Sequence, residues 1–239
     1  MMSEKPFKFK QFTIDQDQCA MKVGTDGVLL GAWATLEDHP FSILDIGAGT
    51  GLVALMLAQR SSAQLIDAIE IDHNAYEQCV DNFENSPWSD RLFCYHASLQ
   101  EFADEIEDKY DLIVSNPPFY TNAFKTNDSQ RDLARFEDAL PFEDLIKSVT
   151  KLLAANGKFV VIVPFNHEDK LISLAKERSL HPSKLLHIKG TPESEIKRSI
   201  IEFSFHDVRI STSTLIIENS RHHYTQEYIH LTNAFYLKM

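Results

Sequence analysis

Between residues 43 and 59 the chain passes from a short apolar run, Ile43-Leu44-Asp45-Ile46, through three glycines in five residues, Gly47, Gly49 and Gly51, directly into an apolar segment of helical period. A strand that turns into a helix through glycine must pack that helix back on the sheet its strand joins, which confines the chain to layered α/β folds. The alternation recurs. Residues 65–69, 92–95, 112–114 and 159–163 read as buried strands, and 52–59, 74–82, 99–106 and 142–153 as helices, the last stopped by Asn156-Gly157. Strand, helix, strand repeated in this way predicts a doubly wound, mostly parallel sheet with right-handed crossovers and helices on both faces. Residues 185–188, 200–205 and 215–217 add strand candidates, and 227–237 a final amphipathic segment.

No Gly/Ser/Pro-rich linker, repeat or low-complexity run divides the 239 residues, so one domain is expected over 1–239, with 1–40 as an N-terminal extension before a 41–239 core. A chain of this length buries roughly 70–75% of its unfolded surface and needs no staple. Its three cysteines, Cys19, Cys79 and Cys94, show no CxxC or Cys/His ligand spacing, which argues against a disulfide framework or zinc site and for a reducing compartment, the cytoplasm by default. The longest apolar runs, 52–58 and 159–163, fall far short of the ~18 residues of a membrane span, and residues 1–10 carry no secretory h-region. Only eight glycines occur, and six of them lie between positions 24 and 51, a clustering that reads as a ligand cradle.

Three motifs carry chemistry. The glycine loop, at the carboxyl end of its strand, sits where open α/β sheets bind ligands, but its spacing fits more than one nucleotide. Glu70, 25 residues after Asp45, ends the next strand, where a carboxylate accepts hydrogen bonds from ribose hydroxyls. NAD and S-adenosylmethionine share that ribose, so Glu70 does not separate them. The third motif does: Asn116-Pro117-Pro118-Phe119-Tyr120 follows the fourth strand. Pro117 holds Asn116 extended and leaves the local carbonyls free to accept. Asn116 Oδ1 and a neighbouring carbonyl can then take both hydrogens of a planar amino group and aim its lone pair at a methyl donor. A ring at Phe119 or Tyr120 can stack on a flat substrate, worth ~1–3 kcal/mol if that substrate is a base.

Asp45-Ile46-Gly47-Ala48-Gly49-Thr50-Gly51, Glu70 and Asn116-Pro117-Pro118-Phe119 together resemble the class I S-adenosylmethionine-dependent amino-methyltransferases. The resemblance implies a seven-stranded sheet with a reversed last strand, for which 200–205 is the candidate. It implies that Asp45 and Gly47, Gly49 and Gly51 hold the methionine part of S-adenosylmethionine and Glu70 its ribose, and that Ser98, at a position commonly occupied by Asp, contacts the adenine. Lys22, Thr25 and Asn116 complete the expected cofactor contacts, and no metal is called for. A narrower match lies in the flanks. Phe9-Lys10-Gln11-Phe12, the run Met21-Lys22-Val23-Gly24-Thr25-Asp26-Gly27-Val28-Leu29-Leu30-Gly31-Ala32-Trp33-Ala34 and the ending 224–239 are similar to the tRNA1(Val) (adenine(37)-N6)-methyltransferases, a bacterial group, and the likeness spans nearly the whole chain. That family implies a tRNA partner and a region around Thr25-Asp26 that closes over the cofactor.

Charge stands against RNA: 23 Lys+Arg and 35 Asp+Glu leave a formal −12, which phosphate repels unless the cations are segregated. Cations do cluster. Lys5, Lys8 and Lys10 interleave with Phe7, Phe9 and Phe12; Lys125, Arg131 and Arg135 follow the Asn-Pro-Pro motif in the polar segment 120–141; others are Lys184, Lys189, Lys197, Arg198 and Arg221-His222-His223. The expectation is that these gather on the rim around Asn116. Two other readings stay open: methylation of another planar nitrogen, in rRNA guanine or a protein glutamine amide, and a non-catalytic cofactor-binding subunit. A dehydrogenase lacks a hydride-transfer constellation, and a monomer is the default.

Overall fold

The computed structural model describes residues 5–118 and 140–238. Two short strands, β1 (Phe7–Lys8) and β2 (Thr13–Ile14), pair antiparallel ahead of helix α1 (Thr25–Trp33). The alternating region then runs β3 (Ser42–Ile46), α2 (Leu52–Arg60), β4 (Leu65–Glu70), α3 (His73–Glu84), β5 (Leu92–His96), α4 (Leu99–Glu105) and β6 (Tyr110–Ser115). After 139 come α5 (Phe142–Leu152), β7 (Leu153–Pro164), a single 3₁₀ turn (Phe165–His167), α6 (Glu168–Lys176), β8 (His181–Lys189) and β9 (Ile196–Ser204). The chain closes with β10 (Ser211–Ile216), a hairpin of β11 (Glu218–Ser220) and β12 (His223–Tyr224), and α7 (Gln226–Thr232).

The main sheet has the order β5-β4-β3-β6-β7-β9-β8-β10. β3 is parallel to both β4 and β6, so the winding reverses beside it, and the crevice at the carboxyl ends of β3 and β6 is the topological switch point. β9 is antiparallel to both β7 and β8 and seats Ile200 and Ile201 between them: the expected reversed strand. The seven expected strands are present. An eighth, β10, extends the edge parallel to β8.

Both faces are covered, which is why the strands read as continuous apolar runs rather than alternating ones. Ile43, Ile66, Val114, Val160, Ile162 and Ile200 pack towards α1, α2 and α7, whereas Leu44, Ile46, Ile113, Val161 and Phe203 pack towards α4, α5 and α6. The first of these cores also takes in Phe9, Phe12 and Phe235. Phe9 stacks on Phe12 with ring centres 4.7 Å apart and lies 5.8 Å from Tyr236, while Lys10 N donates to Phe235 O at 2.8 Å. The Phe/Lys interleaving near the N-terminus is therefore a hairpin with rings turned inward, because burying the rings gains more than a solvated aromatic face would.

Several boundaries differ from expectation. Asn156-Gly157 does not stop a helix: α5 ends at Leu152, and β7 runs straight through the pair. Gly157 is needed there because a Cβ would stand 2.9 Å from Tyr110 O and 2.8 Å from Leu153 Cδ1. α6 is an additional helix whose short charged run, Glu168-Asp169-Lys170, hides a buried face of only Leu171 and Ala175. The last amphipathic segment is helical only to Thr232, after which the chain turns so that Tyr236 bridges Phe9. Nor do the six clustered glycines form one cradle. Gly27 and Gly31 lie inside α1, where a Cβ on Gly31 would meet Met56 Sδ at 2.8 Å and Met56 Cβ at 2.9 Å. These two let α1 lie close on α2.

Replacing Gly31 with Ala gains up to about 1 kcal/mol of helix propensity but overpacks the α1–α2 contact by about 1–3 kcal/mol. Urea denaturation of Gly31→Ala is therefore expected to show a net loss of about 1 kcal/mol.

Candidate active site

The loop after β3 owes its shape to hydrogen bonds that cross to β4. Gly47 N and Ala48 N both donate to Ile69 O, at 3.0 and 3.1 Å, and Gly49 N donates to Glu70 Oε2 at 2.8 Å. Gly47, Gly49 and Gly51 have φ of 71°, 55° and 78°, a region in which an L side chain costs about 1–2 kcal/mol. Their surroundings differ. A Cβ on Gly51 would lie 2.5 Å from Phe83 Cε1 and 2.9 Å from Cys79 Sγ, so Gly51 serves the packing of α2 against α3. Cβ atoms on Gly47 or Gly49 would meet nothing within 4 Å. Those two glycines face open space at the carboxyl edge.

Two carboxylates sit under this loop. Asp45 is 1% exposed, and its Oδ2 accepts from Ala54 N at 3.1 Å, bracing the first turn of α2. Burial, with a further push from the nearby Glu70 charge, raises the Asp45 carboxyl to about 7. Glu70 is used on both oxygens: Oε2 takes the Gly49 N–H, and Oε1 takes Asp72 N–H at 2.9 Å. Asp72 in turn caps α3 by accepting from Ala75 N. Between the two acids Ile71 stands 61% exposed, an apolar side chain offered to solvent beside Glu70.

The N-terminal segment is drawn over this loop by two amides of α3. Gln78 Oε1 accepts from Gln18 N and Cys19 N, and its Nε2 donates to Asp17 Oδ1. Asn82 Oδ1 accepts from Asp15 N, while its Nδ2 donates to both Asp15 O and Thr50 O. Residues 15–19 and the glycine loop thus hang on one helix. The Cys19 thiol is pushed up to about 12 by burial and by Glu70, with Lys22 opposing, which places both Glu70 and Lys22 within electrostatic reach of Cys19. Lys22 Nζ donates to Gln16 O at 2.6 Å. Further on, a Cβ on Gly27 would stand 3.9 Å from Asn116 Nδ2, so the first turn of α1, which begins at Thr25, lies against the Asn116 amide. Asn116 leaves β6 half-buried, followed by Pro117, buried, and Pro118, half-buried.

A strand-end glycine loop, a strand-end acid and Asn-Pro-Pro therefore share one crevice. Residues 28–173 match the Methyltransferase small domain family. The chain is 62% identical to a Flavobacterium psychrophilum protein named tRNA1(Val) (adenine(37)-N6)-methyltransferase, over 98% of this chain and 100% of that one. A protein of the same name from Christiangramia forsetii is 59% identical over 100% of both chains. The chain belongs to this tRNA1(Val) (adenine(37)-N6)-methyltransferase family. Its fold is similar to that of a predicted O-methyltransferase from Agrobacterium tumefaciens, with a TM-score of 0.67, 19% identity, and coverage of 88% of this chain and 96% of that one.

Within this family member, not every residue singled out in the sequence stands free at the crevice. Ser98 reaches the same edge, two residues after His96, which faces Glu70 across β4 and β5. Its hydroxyl, however, donates to Glu101 Oε2 at 2.7 Å and accepts from Glu101 N in a complete capping box at the start of α4. The Ser98 side chain is thus already engaged as a helix cap. The cations divide as well. Lys184 turns away from the crevice, its Nζ on Thr35 Oγ1 and near Glu37 and Glu202, whereas Arg198, paired in register with Pro164 and Ile188, and its neighbour Lys197 lie at the carboxyl edge. Phe119, Tyr120, Lys125, Arg131 and Arg135 lie outside the described residues. Gln78, Asn82 and Ile71 were not singled out. The available signal was two amides spaced i, i+4 on the same stripe of α3 as Cys79 and Phe83.

The loop and its buried acid should both register in stability. Gly49→Ala meets only the backbone penalty and should lose about 1–2 kcal/mol, whereas Gly51→Ala adds overpacking and should lose about 3 kcal/mol or more by chemical denaturation. Because folding raises the Asp45 pKa from about 4 in the unfolded chain to about 7, the folded state keeps a proton that the unfolded chain has released. Stability then falls as pH rises through that window and is level above it. Asp45→Asn keeps an acceptor for Ala54 N–H and removes the titration. Denaturation of both proteins at pH 5 and pH 8 should show the variant gaining about 2.6 kcal/mol on the parent across that interval.

Proposed function

We propose that this chain transfers a methyl group from S-adenosylmethionine to N6 of an adenine in the anticodon loop of tRNA, position 37 of a valine tRNA, in the cytoplasm and as a monomer. The observation that carries the proposal is the placement of Asn116-Pro117-Pro118 beside the glycine loop, at a switch point, in a chain 62% identical along its length to proteins so named.

The residues fit the cofactor. The open space over Gly47 and Gly49 accommodates a ligand whose atoms approach the backbone closely. Glu70, though it holds two N–H groups, keeps a lone pair on each oxygen for the ribose hydroxyls. Ile71 offers an apolar surface for the adenine ring, and Lys22 and Thr25 border the methionine end. Residues 1–40 form the flap over this cofactor, with Gln78 and Asn82 as its anchors. Ser98 contributes through its backbone, since its hydroxyl caps α4.

When bound, S-adenosylmethionine supplies an electrophilic methyl on a sulfonium. Everything else falls to alignment. An anticodon-loop adenine is already unpaired, so presenting it costs less than flipping a base from a duplex. Asn116 Oδ1 and a carbonyl of the Asn-Pro-Pro turn accept the two N6 hydrogens, drawing the nitrogen lone pair out of the ring and along the transfer direction. No base is needed, because the N6 proton, held by Asn116 Oδ1, becomes strongly acidic once nitrogen is alkylated and leaves to water. Pro117 and Pro118 fix the carbonyl positions, and Phe119 and Tyr120 supply the ring that stacks on the base, with Lys125, Arg131 and Arg135 on phosphate.

The test is transfer of labelled methyl into unmodified tRNA, digested to nucleosides, and separately into protein extract. Label is expected in N6-methyladenosine. Asn116→Ala should lower turnover on the order of 10²–10³-fold, the size of a lost preorganised partner at a reacting group, with cofactor binding nearly unchanged; Glu70→Ala should mainly weaken cofactor binding. Label in protein or in methylguanosine would move the substrate to another planar nitrogen, and full turnover by Asn116→Ala would remove Asn116 from the chemistry.

A further inference from the structure

A second hollow lies farther along the same carboxyl edge as the crevice. It is a groove of about 410 Å³ at the carboxyl ends of β8, β10 and β7, lined by Phe165, Lys189, Ser194, Glu195, Ile196 and Thr214. That is within the roughly 300–1,000 Å³ of small-ligand sites. Phe165 follows β7 four residues past Val161, the residue that Ser115 faces across β6 and β7, while Lys189 and Thr214 stand on β8 and β10, three and four strands from β6, so the groove lies farther along the carboxyl edge that carries Asn116.

The Phe165 ring is 40% exposed, yet it is held. His187 meets it edge to face, with ring centres 5.3 Å apart and planes at 84°. His187 is fixed by Glu168, whose Oε2 lies 2.9 Å from its Nε2 and also accepts from Ser199 Oγ. Both members of this pair are mostly buried, with side chains 17% and 13% exposed. A buried polar chain that orients an exposed ring is more than packing requires, and nothing in methyl transfer uses it. Cations flank the same edge. Arg198 Nε is held by Asp26 Oδ2 at 2.8 Å and its Nη1 donates to Lys197 O, which leaves three of the five guanidinium N–H groups without a partner among the described residues. Lys197 is exposed, and Lys189 Nζ spends one donor on Pro192 O.

We propose that this groove binds one unpaired RNA nucleotide of the loop that carries the methylated adenosine, its base stacked on Phe165 and its phosphate on Lys189, Lys197 and Arg198. Glu195 and Ser194 accept from the exocyclic amine or the 2′-hydroxyl. In a chain of net charge −12, a fixed ring bordered by three cations is complementary to a base with its phosphate. Phe165 is then a substrate-positioning residue, and His187 acts through it. The inference rests on the RNA reading above.

The test is initial-rate kinetics on an anticodon stem-loop RNA at saturating S-adenosylmethionine. Phe165→Leu, which keeps apolar bulk without a π face, should raise KM for RNA about tenfold, leaving KM for the cofactor unchanged, and Phe165→Trp should retain the wild-type value. Lys189→Gln and Lys197→Gln should each lower the slope of log affinity against log salt by about 0.7. Should Phe165→Leu melt early, His187→Gln reads the same contact and should raise the same KM. Wild-type KM for RNA in Phe165→Leu, with the wild type active, overturns this subsite and leaves the proposed function standing. A wild-type protein that methylates no RNA overturns both.

Discussion

The geometry of the crevice depends on Glu70. Its two oxygens hold the N–H groups of Gly49 and Asp72, and so fix the glycine loop and the start of α3 relative to β4. Asp45 lies below it, fully buried, and that burial, with a smaller push from the Glu70 charge, raises its carboxyl to about 7. One acid thereby braces α2 and keeps its proton well above the usual carboxylate range, while the other stays available at the mouth. The division of labour between two acids at neighbouring strand ends follows from depth alone.

Most of the α/β core was legible because parallel strands buried on both faces leave long apolar runs, and because glycines clustered between a strand and a helix favour a tight turn that side chains would strain. Glu70 and Asn116 were legible for the same reason: strand ends point at the crevice. The losses have physical causes. The family resemblance turns Ser98 toward the cofactor, while its place after a strand and three residues before Glu101 is equally a capping box, and the hydroxyl makes that cap here. Six clustered glycines looked alike in sequence, yet only Gly47 and Gly49 combine positive φ with empty space, and whether a Cβ would clash depends on residues far along the chain, such as Met56 and Phe83. The amides of Gln78 and Asn82 act on segments some 60–70 residues away, beyond any local pattern.

Net charge turned out to be a poor guide to the surface. Cations that are scattered in sequence end in different places: Lys184 among Thr35, Glu37 and Glu202, but Arg198 at the carboxyl edge, because the reversed strand β9 delivers its first residues where parallel strands deliver their last. A reversal of one strand thus exports basic residues to the rim of an acidic protein. The Asp26–Arg198 pair also links the first turn of α1 to that rim, so the wall beside Asn116 and the edge of the sheet are mechanically joined.

The bridge between Phe9 and Tyr236, with Lys10 N on Phe235 O, ties together the two ends of the chain on the helix face that carries the glycine loop. Its consequence concerns the order of assembly. While the protein is being synthesised, the loop, Glu70 and Asn116 all emerge before Tyr228, Phe235 and Tyr236, which complete the aromatic seat of the N-terminal hairpin. A nascent chain therefore has its crevice early but can seal the hairpin above it only once Phe235 and Tyr236 have left the ribosome, so a product truncated before them would carry Phe9 and Phe12 without the seat that closes over them.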